Sequence, residues 1–148
     1  MAGALEDPLV STFFQIEFQD SVKGAFRECT GLGSENEVVT YQASSPEGQQ
    51  VTKMIPGRLK WNSITLKRGI TSEMDMWKWR KLVEDGQIKD ARKNGSVTMY
   101  DHKMTPIAKW DFVNAWPSKL TGPSANANAN EVGIEELVIT HEGYQRTQ

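Results

Sequence analysis

Hydrophobic and polar positions alternate with a period of two along most of the chain. In "FFQIEF", Phe14, Ile16 and Phe18 fall on one face and Gln15, Glu17 and Gln19 on the other, which predicts a half-buried strand. A second strand is expected through "GAFREC", ended by the glycines of "TGLGSE", and a third in "NEVVTYQ". The stretch from Gln42 to Gly57 is polar and carries Pro46, Gly48, Pro56 and Gly57, so it reads as a long loop. Loops of that length are uncommon unless they have a task. In "RLKWNSITLKRG", Leu59 and Trp61 share one parity and Ile64 and Leu66 the other, so a bulge near Asn62 and Ser63 is expected if one face is to stay buried.

After Gly69 the period changes. Met76, Trp79, Leu82 and Val83 form one stripe at helical spacing with Trp77 on its flank, which predicts a helix over about 73–85. Ser72 is placed to cap it with Asp75 three residues on, and Gly86 to stop it. Beyond it, "GSVTMYDHKMTPIAKWDFVNAWPSKL" predicts a hairpin turning around Asp101 to Pro106, whose second arm aligns Trp110, Phe112, Asn114 and Trp116. A loop over about 121–132 contains the low-complexity "ANANAN". The last strand sets Leu137 and Ile139 against Val138 and Thr140, so cover on both faces is expected. The fold class is therefore mainly β, in one domain over 1–148 with an N-terminal tail over about 1–11.

Composition narrows the function classes. The 148 residues carry 17 basic and 19 acidic side chains, a net charge of −2, so no strong field points to nucleic acid or anionic lipid. No apolar run approaches the ~20 residues that span a bilayer, and "MAGALEDPLVSTFF" lacks a signal-peptide pattern. Cytoplasmic synthesis without membrane insertion is expected. Single Cys29, with no base in evidence, reads as a small buried apolar residue. His102 and His141 stand in no ligand spacing, so neither a metal nor a cofactor is expected. Gly31 and Gly33 form GxG without the third glycine of a dinucleotide loop, and read as turn glycines. Glu135 and Glu136 are adjacent on a strand and face opposite ways, which suits rim or interface charges better than an acid/base pair. Without a nucleophile, base and orienter the chain is not expected to be an enzyme. Trp110, Phe112 and Trp116 suit a core or subunit contact, with a sugar- or lipid-binding barrel as the alternative.

Several stretches occur together in a telling order: "GAFRECTGLGSENEVVTY", "IPGRLKWNSITLKRGIT" running into "MDMWKW", "WPSKLTG", and "NEVGIEELVITHEGYQR". From about Phe14 to Arg146 the sequence resembles the tail tube family of contractile phages and of phage-like contractile injection systems. The resemblance implies an antiparallel β-barrel or sandwich with one flanking helix, related to the hemolysin-coregulated protein of type VI secretion. It implies hexameric rings stacked into a hollow tube for DNA or protein cargo, with a sheath, a baseplate hub and a tube terminator as partners, in a phage tail or injection particle. The long segment then becomes an arm toward another subunit. Pro46, Glu47, Gln49 and Lys53 on that arm, with Arg68, Trp77 and Glu142, are the candidate assembly residues. Lys67 and Arg68 are read either as a solvated strand end or as partners for acids such as Glu142.

Overall fold

Among the residues described by this computed structural model, 11–19, 22–123 and 133–148, ten strands and two helices account for the regular structure. The strands are β1 (Ser11–Phe18), β2 (Val22–Phe26), β3 (Glu28–Thr30), β4 (Ser34–Ser44), β5 (Gln50–Trp61), β6 (Ile64–Gly69), β7 (Lys93–Asp101), β8 (Pro106–Thr121), β9 (Ile134–Thr140) and β10 (Tyr144–Arg146). The helices α1 (Asp75–Glu84) and α2 (Ile88–Ala91) lie between β6 and β7. Eight strands form one antiparallel sheet in the order β2-β1-β7-β8-β9-β6-β3, with β10 paired to β8.

That order closes on itself. β2 and β3 are one stretch of chain bent at Arg27: Phe26 pairs with Phe14 of β1, while Glu28 pairs with Lys67 of β6. Arg27 itself donates its backbone N–H to the Lys67 carbonyl at 3.1 Å. The first and last positions of the sheet are thus the two halves of a single strand, and a barrel results whose circuit leaves little edge unpaired.

Alternation fills the interior. Ile16 and Phe18 of β1, Val22 and Phe26 of β2, Ile64 and Leu66 of β6, Val97 of β7 and Leu137 and Ile139 of β9 are buried. α1 lies against β2 and β8, burying Met76 and Trp79, with Leu82 and Val83 partly buried against the same core. The Trp79 ring meets Phe18 at 5.1 Å between centroids, and its indole N–H donates to the Ala91 carbonyl at 2.6 Å, which ties α1 to α2. Gly86, at φ 81, ends α1: its N–H donates to Val83 and that of Gln87 to Leu82, the paired bonds of a Schellman stop.

Several expectations change. α1 begins at Asp75 after Met74 with no side-chain cap, so Ser72 and Asp75 form no capping box. Glu73 is instead drawn to Arg68, at 3.4 Å. A second helix, α2, accompanies the one foreseen. On β8 the parity of Trp110 and Phe112 does not reach Trp116, because Asn114 takes φ 49 and shifts the inward positions to Ala115 and Pro117. Asn62 and Ser63 are not a bulge within one strand; they are the crossing between β5 in one sheet and β6 in another. The 42–57 segment is no loop either. It is most of an antiparallel hairpin, β4 on β5, turning only at 45–49. Pro56 and Gly57 are tolerated because the ribbon has two strands, each with an open outer edge. Of the loop over about 121–132, β8 claims Thr121; "ANANAN" and the tail over 1–10 lie outside the described residues.

Candidate functional site

The hairpin stands outside the barrel. Among the described residues β4 and β5 ladder only with each other, from Ser34↔Trp61 at the root to Ser44↔Gln50 at the tip. At ~3.3 Å per residue its strands extend roughly 36 Å. One face presents Val39, Tyr41, Val51 and Ile55, and the other Val38 and Met54. Seven of the twelve large hydrophobic residues exposed among the described residues sit here, Met54 at 74% and Val38 at 68% exposure included. An isolated two-stranded hairpin is marginally stable in water, and apolar surface concentrated in this way marks a contact site. The two open edges add unpaired backbone donors and acceptors, a template for β pairing.

The root is fixed by a small aromatic cluster. Trp61 packs edge-on to Tyr144 at 4.9 Å and near His141 at 6.0 Å, and Phe112 meets the His141 ring at 4.8 Å. His141 accepts the Gly143 N–H at Nδ1 (3.1 Å) and so carries its proton on Nε2, which donates to the Asn62 carbonyl (2.9 Å). Burial holds its pKa below the ordinary histidine value. Asn62 in turn donates its N–H to the Gly33 carbonyl at 3.1 Å. Gly31 is required beside it: its φ is 90, and a Cβ there would lie 2.2 Å from the Ser63 carbonyl oxygen.

The candidate assembly residues separate into three places. Pro46, Glu47 and Gln49 lie at the exposed hairpin tip, and Lys53 stands opposite Tyr41 on β5. Glu142 is exposed in the turn before β10 and accepts a bond from Asn114 Nδ2 at 2.6 Å; it does not meet Arg68. Arg68 is not a solvated strand end. It is 4% exposed, bonded through Nε to Glu135 Oε2 at 3.1 Å, and lies over the Phe26 ring at 5.0 Å. Glu135 is 2% exposed and not a rim charge; its other oxygen accepts the Trp77 indole N–H at 2.8 Å. The register that places Arg68 opposite Glu135 on the β6–β9 ladder brings these charges together inside, where the guanidinium offsets the cost of burying the carboxylate. Trp77 is only half-buried and keeps an outward face on α1.

Other chemistry is sparse. Cys29 is half-buried rather than fully buried, and burial pushes its thiol up to about 12, which leaves little of the reactive thiolate. Among the described residues no three of His, Cys, Asp and Glu converge as metal ligands. Phe112 is buried in the core, and Trp110 and Trp116 are half-buried, Trp110 with the Arg146 guanidinium 5.8 Å from its ring centre. Val38 and Val39 belong to the strand expected in "NEVVTYQ", but Met54 and Ile55 were missed from sequence; the signal was there in "MI", an apolar pair inside a segment judged by its prolines and glycines.

Comparison with known proteins agrees with the fold. The family profile described as T4-like virus tail tube protein gp19 matches residues 10–145. No curated protein matches the sequence significantly. Among solved structures, the chain is similar to one from the PVC extracellular contractile injection system sheath–tube complex in the extended state, at TM-score 0.77 and 22% identity over 96% of this chain and 93% of that one. A chain of the PVC sheath/tube terminator gives TM-score 0.79 and 22% identity over 98% and 100%. Hcp1 from Flavobacterium johnsoniae gives TM-score 0.55 and 12% identity over 91% and 94%.

Proposed function

The chain belongs to the T4-like virus tail tube protein family, structural subunits of an inner tube, and on that premise we propose that the β4–β5 hairpin is the arm by which copies of this chain join into stacked rings. The observation that carries this is a closed barrel bearing a long hairpin with apolar side chains on both faces and, among the described residues, no further strand beside it. A contact in which one copy's arm lies on a different surface of the next is heterologous, and such contacts close into rings when the rotation allows. Six copies per ring, a lumen carrying DNA or protein, and a sheath, baseplate hub and terminator around the tube complete the proposal. The similar PVC chains come from complexes with a sheath and with a tube terminator, which supports those partners. Pro46, Glu47, Gln49 and Lys53 belong to the arm. Trp77 and Glu142, exposed enough to meet a neighbour, are proposed as secondary contacts, and Arg68 supports Trp77 from inside through Glu135.

The test removes the arm alone. Deleting 38–57 and closing the ladder with an Asn-Gly turn is expected to leave a folded, monodisperse barrel that forms neither rings nor tubes in negative-stain images. Tubes of normal length from this variant would overturn the proposal.

A further inference from the structure

The arm joins the barrel through two short segments, 31–33 and 62–63, and what fixes its angle is the cluster around His141. Both ring nitrogens of His141 are used, with opposite polarity. Nδ1 accepts from Gly143 N–H at 3.1 Å, and Nε2–H donates to the Asn62 carbonyl at 2.9 Å. Only the neutral ring satisfies both. We propose that His141 is a proton-sensitive latch: when its ring is protonated, the 141–143 turn releases Trp61 and Asn62, and the β4–β5 hairpin comes free of the barrel while the barrel stays folded.

The reasoning is geometric. A proton on Nδ1 faces the Gly143 N–H, so two donors meet where a donor met an acceptor, and the turn must move. Gly143 takes φ 151 and lies against the Trp61 ring, 3.4 Å from the place a Cβ would occupy, so its displacement unseats the last residue of β5. The Nε2–H bond to the Asn62 carbonyl survives protonation itself, so Asn62 is freed only as the displaced turn carries the ring away from it, and the Asn62 N–H bond to Gly33 across the root then loses its support. Among the described residues no carboxylate pairs with the ring to hold a second proton. The neighbours are Trp61 of β5, the Asn62 carbonyl just after it, Phe112 of β8 and the Tyr144 ring of β10. Glu142, next in sequence, is exposed and bonded to Asn114 Nδ2. Burial of the ring already favours its neutral form, so the latch is closed at neutral pH and opens on acidification. The latch acts within one chain, so it stands or falls independently of what the arm binds.

Amide hydrogen exchange on the full chain reads it directly, corrected for intrinsic rate, between pH 7.5 and 5.5. The Asn62 amide is expected to lose protection by at least about tenfold, while Leu66 and Leu137, inside the barrel, keep theirs. The His141→Gln variant, which has a donor and an acceptor but no charge, is expected to show a flat profile, and His102→Gln to behave as the parent. The Asn62 loss persisting in His141→Gln, or Leu66 and Leu137 opening together with Asn62, would overturn the latch. Should His141→Gln not fold, ring NMR of the His102→Gln chain decides instead: His141 titrating in step with Asn62 opening supports the proposal, and titration with Asn62 still protected defeats it.

Discussion

Replacing Glu135 by leucine puts the buried charges to a quantitative test. Its carboxylate accepts from Arg68 Nε at 3.1 Å and from Trp77 Nε1 at 2.8 Å, and both Arg68 and Glu135 are nearly inaccessible to water. Without it, the guanidinium retains one ionic partner, Glu73 at 3.4 Å, whose side chain is 62% exposed and weakens the pair by solvent screening. Removing one member of a buried ion pair costs about 3–5 kcal/mol, chiefly because the other is left charged in the interior. The half-buried Trp77 loses its indole hydrogen bond at the same time, which adds to the cost. For a chain of this size that loss lowers Tm by roughly 10 °C. Converting both partners, Arg68→Met with Glu135→Leu, removes the stranded charge and is expected to return the stability to within about 2 kcal/mol of the parent. Urea and thermal unfolding of the monomeric subunit, at equal protein concentration, measure both variants. The reasoning fails if Glu135→Leu alone costs under about 1 kcal/mol, or if the double variant is less stable than the single one.

Trp79→Ala empties a fully buried site and strands the Ala91 carbonyl, so a loss of about 3–5 kcal/mol in chemical denaturation is expected, against a much smaller change for Trp77→Ala; equal losses would place both tryptophans in the core. Gly31→Ala forces a Cβ to 2.2 Å from the Ser63 carbonyl oxygen at φ 90, and should lower Tm and increase exchange at Asn62 together. With its thiol pKa raised to about 12, Cys29 should resist alkylation at pH 8 in the native chain and react only when denatured; fast native labelling would contradict the burial. His141 is held neutral in the fold with a lowered pKa, so the unfolded chain takes up its proton first: stability should be highest above about pH 6.5 and fall as the pH drops below it, and His141→Gln should flatten that slope.

Much of the barrel was legible because its strands bury one face. Phe14, Ile16 and Phe18 announce β1, and Met76, Trp79, Leu82 and Val83 announce α1, since burial imposes a period on the sequence. The hairpin escaped for the same reason reversed. Among the described residues neither face of β4–β5 meets a core, so nothing there enforces alternation, and Pro56 with Gly57 suggested a loop that a two-stranded ribbon does not need to be. Arg68 and Glu135 escaped because their meeting depends on the β6–β9 register, between residues 67 apart in sequence. The shift at Asn114 depends on one backbone angle that residue type does not dictate. The family was legible where periodicity was not, through the order of its turns and strands, and the match over 10–145 bears it out.

The circuit of the barrel also sets a timetable for its making. β6 reaches its ladder partner β9 only after the chain has passed Ile134, and β1 reaches β7 only after Lys93, so the ring of strands closes late and mostly through distant pairings. Such topologies fold slowly. The 34–61 hairpin pairs neighbours through a turn at 45–49 and needs none of them. On a growing chain the 34–61 hairpin therefore has all its own pairing partners well before the body does, so for the interval between them a nascent subunit offers this apolar ribbon without the barrel that would orient it.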